Sequence, residues 1–169
     1  MTGMDDITAL ILDDHDAFRR GFARLDDARD DVELLTAVWT ALARHLDLHA
    51  EAEETLLYPH LVRHGDDGED ETVDAIGDHN KIRDAIEEAR GHEVGSDAWW
   101  AAVGRARSEN SEHLAEEEDE ALPDFRRHAA TELRADLAAR WLKFYAEHDD
   151  GRDLVARDKD PQRYVERNS

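Results

Sequence analysis

Apolar residues recur at three- and four-residue steps through most of the chain, which is the pattern of amphipathic helices. Ile7, Ile11, Phe18, Phe22 and Leu25 make the first stripe and predict a helix over about 4–28, with Thr2 or Asp5 as its cap. Leu35, Val38, Leu42, Leu46, Leu56 and Leu57 predict a second helix over about 31–63. The period stops at HGDDGED, residues 64–70, where Gly and Asp crowd together. Val73, Ile76, Ile82 and Ile86 predict a third helix over about 70–90. GHEVGSD, residues 91–97, breaks it, and Ser96 or Asp97 can cap a fourth helix over about 97–128 carrying Trp99, Ala102, Ala106 and Phe125. Pro59 and Pro123 should kink or stop their helices near the ends, because proline removes a backbone donor. A fifth helix, about 130–148, carries Leu133, Leu137, Trp141 and Phe144. Nothing alternates convincingly as a strand. Long amphipathic helices with short connections predict an all-α, up-down-up-down four-helix bundle with an additional C-terminal helix. That domain would span 1–149, followed by a charged tail with little period, 150–169.

Six polar residues interrupt the apolar stripes: His15, His49, Glu53, His79, His113 and Glu117. They belong to a duplication. HAEAEETLLYP (His49 to Pro59) and HLAEEEDEALP (His113 to Pro123) share His, Glu and Pro in register, 64 residues apart. At the same offset Asp14-His15 falls on Asp78-His79, Glu53-Glu54 on Glu117-Glu118, and Arg63-His64 on Arg127-His128. Residues i and i+4 share one helix face, so His49 with Glu53, and His113 with Glu117, can reach one ion together. A buried carboxylate is costly unless paired or metal-bound. Two such carboxylates among four imidazoles therefore call for cations. Two His and one carboxylate per half, with open positions, favour non-haem iron. The spacing is not HExxH, so a zinc protease has no support.

These motifs resemble the hemerythrin-like family, the HHE cation-binding domain. The carrying residues are DDH at 13–15, HAEAEE at 49–54, GDH at 77–79 and HLAEEE at 113–118, with Pro59 and Pro123. The resemblance runs from residue 4 to about 128. It implies a four-helix bundle around two non-haem iron ions. His15 and His49 would hold one ion and His79 and His113 the other, with Glu53 and Glu117 bridging. If the ions are six-coordinate and share an oxo or hydroxo bridge, about two positions stay open for small ligands. One departure stands out: oxygen-carrying members have a further His one turn before the third-helix His, where this chain has Ala75. His45 lies one turn before His49, but its repeat mate is Glu109. His45 is read as a partner of a ligand or a residue at the bundle end, and Glu54 and Glu118 as solvated or as ligand partners. His64 and His128 are read as C-terminal caps, and Tyr58 as core packing, with entry into the site as the alternative. The Trp141–Phe144 helix is a cover for the bundle or a dimer surface.

Composition narrows the setting. The 169 residues suit one domain with a real core. The absence of Cys excludes disulfides, thiolate zinc sites and iron–sulfur clusters. Forty-three acidic against twenty-one basic residues give a net charge of −22. That surplus repels itself in dilute buffer, whereas at ~1 M salt the Debye length falls to about 3 Å. The composition therefore suits the salty cytoplasm of a halophile. Nucleic acid and anionic membranes are poor partners for such a surface. MTGMDDITAL lacks a basic segment before an apolar run, and ITALIL is too short to span a bilayer. A cytoplasmic monomer or homodimer is expected. The leading functional reading is a di-iron protein that binds or senses oxygen, nitric oxide, iron or redox state. The rival is a di-iron oxidoreductase with the same ligands, and a metal-free structural bundle ranks below both.

Overall fold

The computed structural model describes residues 5–169, and these are helical with no strand among them. The proposed cap Thr2 lies outside the described residues. The first helix, α1 (Ile7–Asp27), is capped by Asp6 rather than Asp5. Asp6 has extended backbone, and its carboxylate accepts the Thr8 N–H at 2.9 Å. It is followed by α2 (Val32–Ala52), α3 (Tyr58–His64), α4 (Gly68–Arg90), α5 (Asp97–Glu116), α6 (Leu122–His128), α7 (Thr131–Glu147) and α8 (Pro161–Asn168). Ser96 caps α5 by accepting the Trp99 N–H.

Two π turns, Glu53–Leu57 and Glu117–Ala121, join α2 to α3 and α5 to α6. In each, the residue before the proline donates its backbone N–H five residues back: Tyr58 to Glu53, and Leu122 to Glu117. The wide turn lets Pro59 and Pro123, which have no N–H to give, enter at the first turn of the next helix. The predicted second and fourth helices thus pass their prolines with a local widening of the spiral. Both π turns begin at the repeated Glu.

The core has two apolar halves. One is built around Phe18, Phe22, Leu35, Trp39, Leu46, Ile82, Ile86 and Trp99. The other is built around Ile7, Ile11, Leu57, Leu61, Ile76, Phe125, Leu137 and Trp141. Trp39 fills the place predicted for Val38, which is only partly buried. The repeated His and Glu residues lie between the two halves along the chain: His15 follows Ile11 and precedes Phe18, and His79 separates Ile76 from Ile82. Apolar blocks cover that polar layer on either side.

The fifth predicted helix, α7, acts as a cover. Leu137, Ala138 and Trp141 are buried, and the Trp141 ring lies 5.4 Å from that of His49. The charged tail contains α8, which packs against α4 and buries Val165. The first residue of α4 must be glycine, because a Cβ at 68 would collide with the Leu61 carbonyl. No helix among the described residues is long and apolar enough to cross a membrane.

Candidate metal centre

The fold brings all six repeated residues together, each at most 3 % exposed. One ligand atom from each of His15, His49, Glu53 and Glu117 lies within 4.8 Å of the others, and Glu53, His79 and His113 form a second such group. Each carboxylate reaches both groups. Glu53 Oε1 lies 2.8 Å from His49 Nε2, and its Oε2 lies 3.1 Å from His79 Nε2. Glu117 Oε1 lies 3.5 Å from His15 Nε2, and its Oε2 lies 3.3 Å from His113 Nε2.

The first group is left unsatisfied by the protein itself. His15 Nε2, His49 Nε2, Glu53 Oε1 and Glu117 Oε1 are all buried and have no hydrogen-bond partner. The short His49–Glu53 separation is close packing without hydrogen-bond alignment. One orphaned buried polar atom is costly, and four converging on one point form a set of donors that could hold a cation. The residues therefore fit a metal ion.

Every inner histidine is held from behind by a carboxylate. Asp14 accepts from His49 Nδ1 at 2.8 Å, and Glu118 meets His15 Nδ1 at 3.0 Å. Asp78 faces His113 Nδ1 at 3.4 Å, and Glu54 meets His79 Nδ1 at 2.9 Å. With Nδ1 engaged, each Nε2 faces inward, and once an ion displaces its proton the carboxylate behind makes it a stronger donor. The pattern is duplicated: Asp14 and Asp78 brace the second histidine of their own repeat, while Glu54 and Glu118 each brace the first histidine of the other. Arg83 contacts Glu54 at 2.8 Å, and Arg19 contacts Glu118 at 2.9 Å. Sequence reading did not assign Asp14, Asp78, Arg19 or Arg83. A signal was present, since both pairs recur at the same 64-residue offset as the histidines.

The electrostatics follow from burial opposed by close charges. Burial disfavours the charged forms of His49 and His113, yet Glu53 and Asp14 for the first, and Asp78 and Glu117 for the second, lift both to about 10. Burial pushes Asp14 up, but hydrogen bonds from His45 and His49 outweigh it and hold it well below the carboxylate range. Burial likewise opposes the Glu117 charge, and His113 and His15 overcome it. Glu54 ends at about 2, with His79, Arg83 and Lys159 outweighing its burial.

Of the two readings of Tyr58, the structure favours entry into the site over core packing alone. It is fully buried, and its hydroxyl lies 2.9 Å from Glu53 Oε2, 2.7 Å from Glu117 Oε2 and 3.4 Å from His79 Nε2. Burial and both carboxylates keep the phenol protonated, well above its usual range. Its repeat mate is Leu122, so the second group gains a polar neighbour for which the duplication has no equivalent.

His45 sits behind the site, with its Nε2 3.1 Å from Asp14 Oδ1. Ala75 is buried and lines a cavity of about 20 Å3 that reaches His113 and Glu117 between Glu71, Asp78 and Glu120. That volume holds about one water. His128 caps α6, with its Nδ1 2.9 Å from the Asp124 carbonyl. A third cluster, Asp66, Asp124 and His128, lies at this helix end. Asp124 there is committed to the N–H groups of Asp66 and Asp67, which accounts for its burial.

No curated protein and no solved structure matches the chain. Residues 6–125 match the hemerythrin HHE cation-binding domain, a span that contains all six inner residues, their four bracing carboxylates and both π turns. With most of its length in that match, and with buried His and Glu groups at its centre that could hold a metal ion, the chain belongs to the hemerythrin HHE cation-binding domain family.

Proposed function

We propose that the chain is a di-iron protein that binds or senses a small diatomic molecule, oxygen or nitric oxide, or reports iron or redox state. His15 and His49 hold one ion, His79 and His113 the other, and Glu53 and Glu117 bridge them within an up-down-up-down four-helix bundle. The observation that carries this reading is the convergence of four buried, partnerless donor atoms on one point. The iron pair, when bound, would supply one-electron redox steps and open coordination positions. The protein's own contribution is support: Asp14, Glu118, Asp78 and Glu54 orient the imidazoles, and the apolar blocks cover the layer on either side. Imidazole and carboxylate accept several divalent ions, so iron must be tested directly. Anaerobically purified protein should contain about two iron atoms per chain, and its absorption spectrum should change on admission of air. A stoichiometry near one, with Glu117→Ala harmless to loading, would overturn the bridged pair. The acidic surface is part of the same proposal: a cytoplasmic protein working in molar salt.

Tyr58 supports a second reading, that of a di-iron oxidoreductase. A protonated phenol in contact with both bridging carboxylates is a proton donor within reach of the centre. Steady turnover of hydrogen peroxide or oxygen with a reductant would favour it, and Tyr58→Phe should then slow turnover more than it weakens iron retention.

A further inference from the structure

The two halves of the centre are not supported alike. Glu118, behind His15, is 26 % exposed and is met by Arg19. Glu54, behind His79, is 1 % exposed and carries two cations, Arg83 on one oxygen and Lys159 on the other. Lys159 also reaches Glu51 Oε1 at 2.9 Å. It belongs to the tail, 132 residues beyond α1 and outside the duplicated unit by sequence, since the family match stops at residue 125. The tail is fastened at this point. Lys159 exchanges two hydrogen bonds with the Asn80 side chain, at 2.7 and 3.0 Å. The Tyr164 hydroxyl bonds the Glu54 carbonyl, and Val165 is buried just beyond.

We propose that the tail is a strap that tunes the metal centre, with Lys159 as a positioning residue for His79. The inference rests on the two-metal reading above. A carboxylate bonded to the outer N–H of a ligating imidazole raises its donor strength. Lys159 draws that carboxylate's charge toward itself, and it adds a positive charge on the approach to a cation site. Both effects act in one direction: they weaken the His79–His113 position relative to the His15–His49 position. Because Glu54 is buried, solvent and salt screen the effect poorly. Lys159 therefore makes the two positions inequivalent beyond the asymmetry that Tyr58 introduces, and the second position fills later.

The test uses the full chain and three variants: Lys159→Gln, Lys159→Arg, and Lys143→Gln. The last removes the same charge from an exposed site, 76 % open on α7. In the metal-free protein, 15N NMR of the imidazoles should show Lys159→Gln shifting the His79 ring nitrogens while those of His15 stay in place. Cobalt(II) titration against a competing chelator should then show one of two binding steps tightened about tenfold, the lower end of the range for partners of a ligand, with the other step unchanged. Lys159→Arg should restore the wild-type pattern in both measurements, and Lys143→Gln should leave it intact. Unmoved His79 resonances, equal movement of both cobalt steps, or identical behaviour of Lys159→Gln and Lys143→Gln would overturn the strap. A wild-type chain taking up a single cobalt would overturn the two-metal reading instead, and the NMR comparison would still decide whether the tail reaches His79.

Discussion

Replacing Asp14 with Asn tests whether the residues behind the histidines matter as much as their geometry implies. Asp14 receives three donors: His49 Nδ1 at 2.8 Å, His45 Nε2 at 3.1 Å and the Tyr145 hydroxyl. Asn keeps the shape and removes the charge. A hydrogen bond to a charged group contributes about 1.5–3 kcal/mol and a neutral one about 0.5–1.5, so each of the three weakens by roughly 1 kcal/mol. Asp14 is 15 % exposed, which allows some solvent compensation. A loss of about 2 kcal/mol from the metal-free fold is expected. For a domain of this size that lowers the melting temperature by roughly 4–8 °C. Binding should suffer separately: the His49 imidazole loses its orientation, and affinity at the His15–His49 position should fall about 10–100-fold. The assays are thermal unfolding of chelator-treated protein in molar potassium chloride and cobalt(II) competition on the same samples. Asp13→Asn, at an exposed neighbouring position, is the control. If Asp14→Asn matched Asp13→Asn in both measurements, the bracing carboxylates would be incidental to the site.

Tyr58→Phe should destabilise the metal-free protein by about 1.5–3 kcal/mol, the value of one charge-assisted hydrogen bond, since a single hydroxyl proton is shared between Glu53 and Glu117; chemical denaturation with chelator present measures it, and an unchanged midpoint would contradict the geometry. His49 and His113 hold their protons to about 10 when folded and metal-free, against about 6.5 when unfolded. Their contribution to metal-free stability is thus fully present below about pH 6.5 and lost as pH rises toward about 10. Metal must displace those protons, so its binding tightens over the same interval. The gap in melting temperature between loaded and metal-free protein should therefore widen from pH 6.5 to pH 9, and a constant gap would refute the assignment. Salt and metal should stabilise separately: molar potassium chloride screens the exposed surplus of a −22 chain, but not charges in the core. Metal-free protein should remain less stable than loaded protein even in concentrated salt, and a vanished difference would mean that metal does not relieve the Glu53–Glu117 repulsion.

Much of the molecule was legible in the order of residues alone. The helices followed from periodicity, because the apolar stripe that buries α1, α4 or α5 is local information. The six inner residues were legible for a different reason. Each interrupts a stripe at a place where an isolated polar group would be costly, and each recurs in the duplicated unit. What tertiary structure decided is how residues remote in sequence meet. Glu54 and Glu118 point about 100° away from the neighbouring Glu on a helix, and only the packed bundle shows that this aims them at His79 and His15. Tyr58 follows Glu53 by five residues and would sit about 140° away on a regular α-helix. The π turn closes over five residues instead of four and sets the phenol above Glu53. The strap is the furthest from local pattern. Its residues show little periodicity because they are fastened by Asn80, Glu51 and Glu54, side chains of helices closed long before the tail begins. Periodicity reports the face a segment turns to the core, and a segment held by polar side chains of other helices leaves no such record.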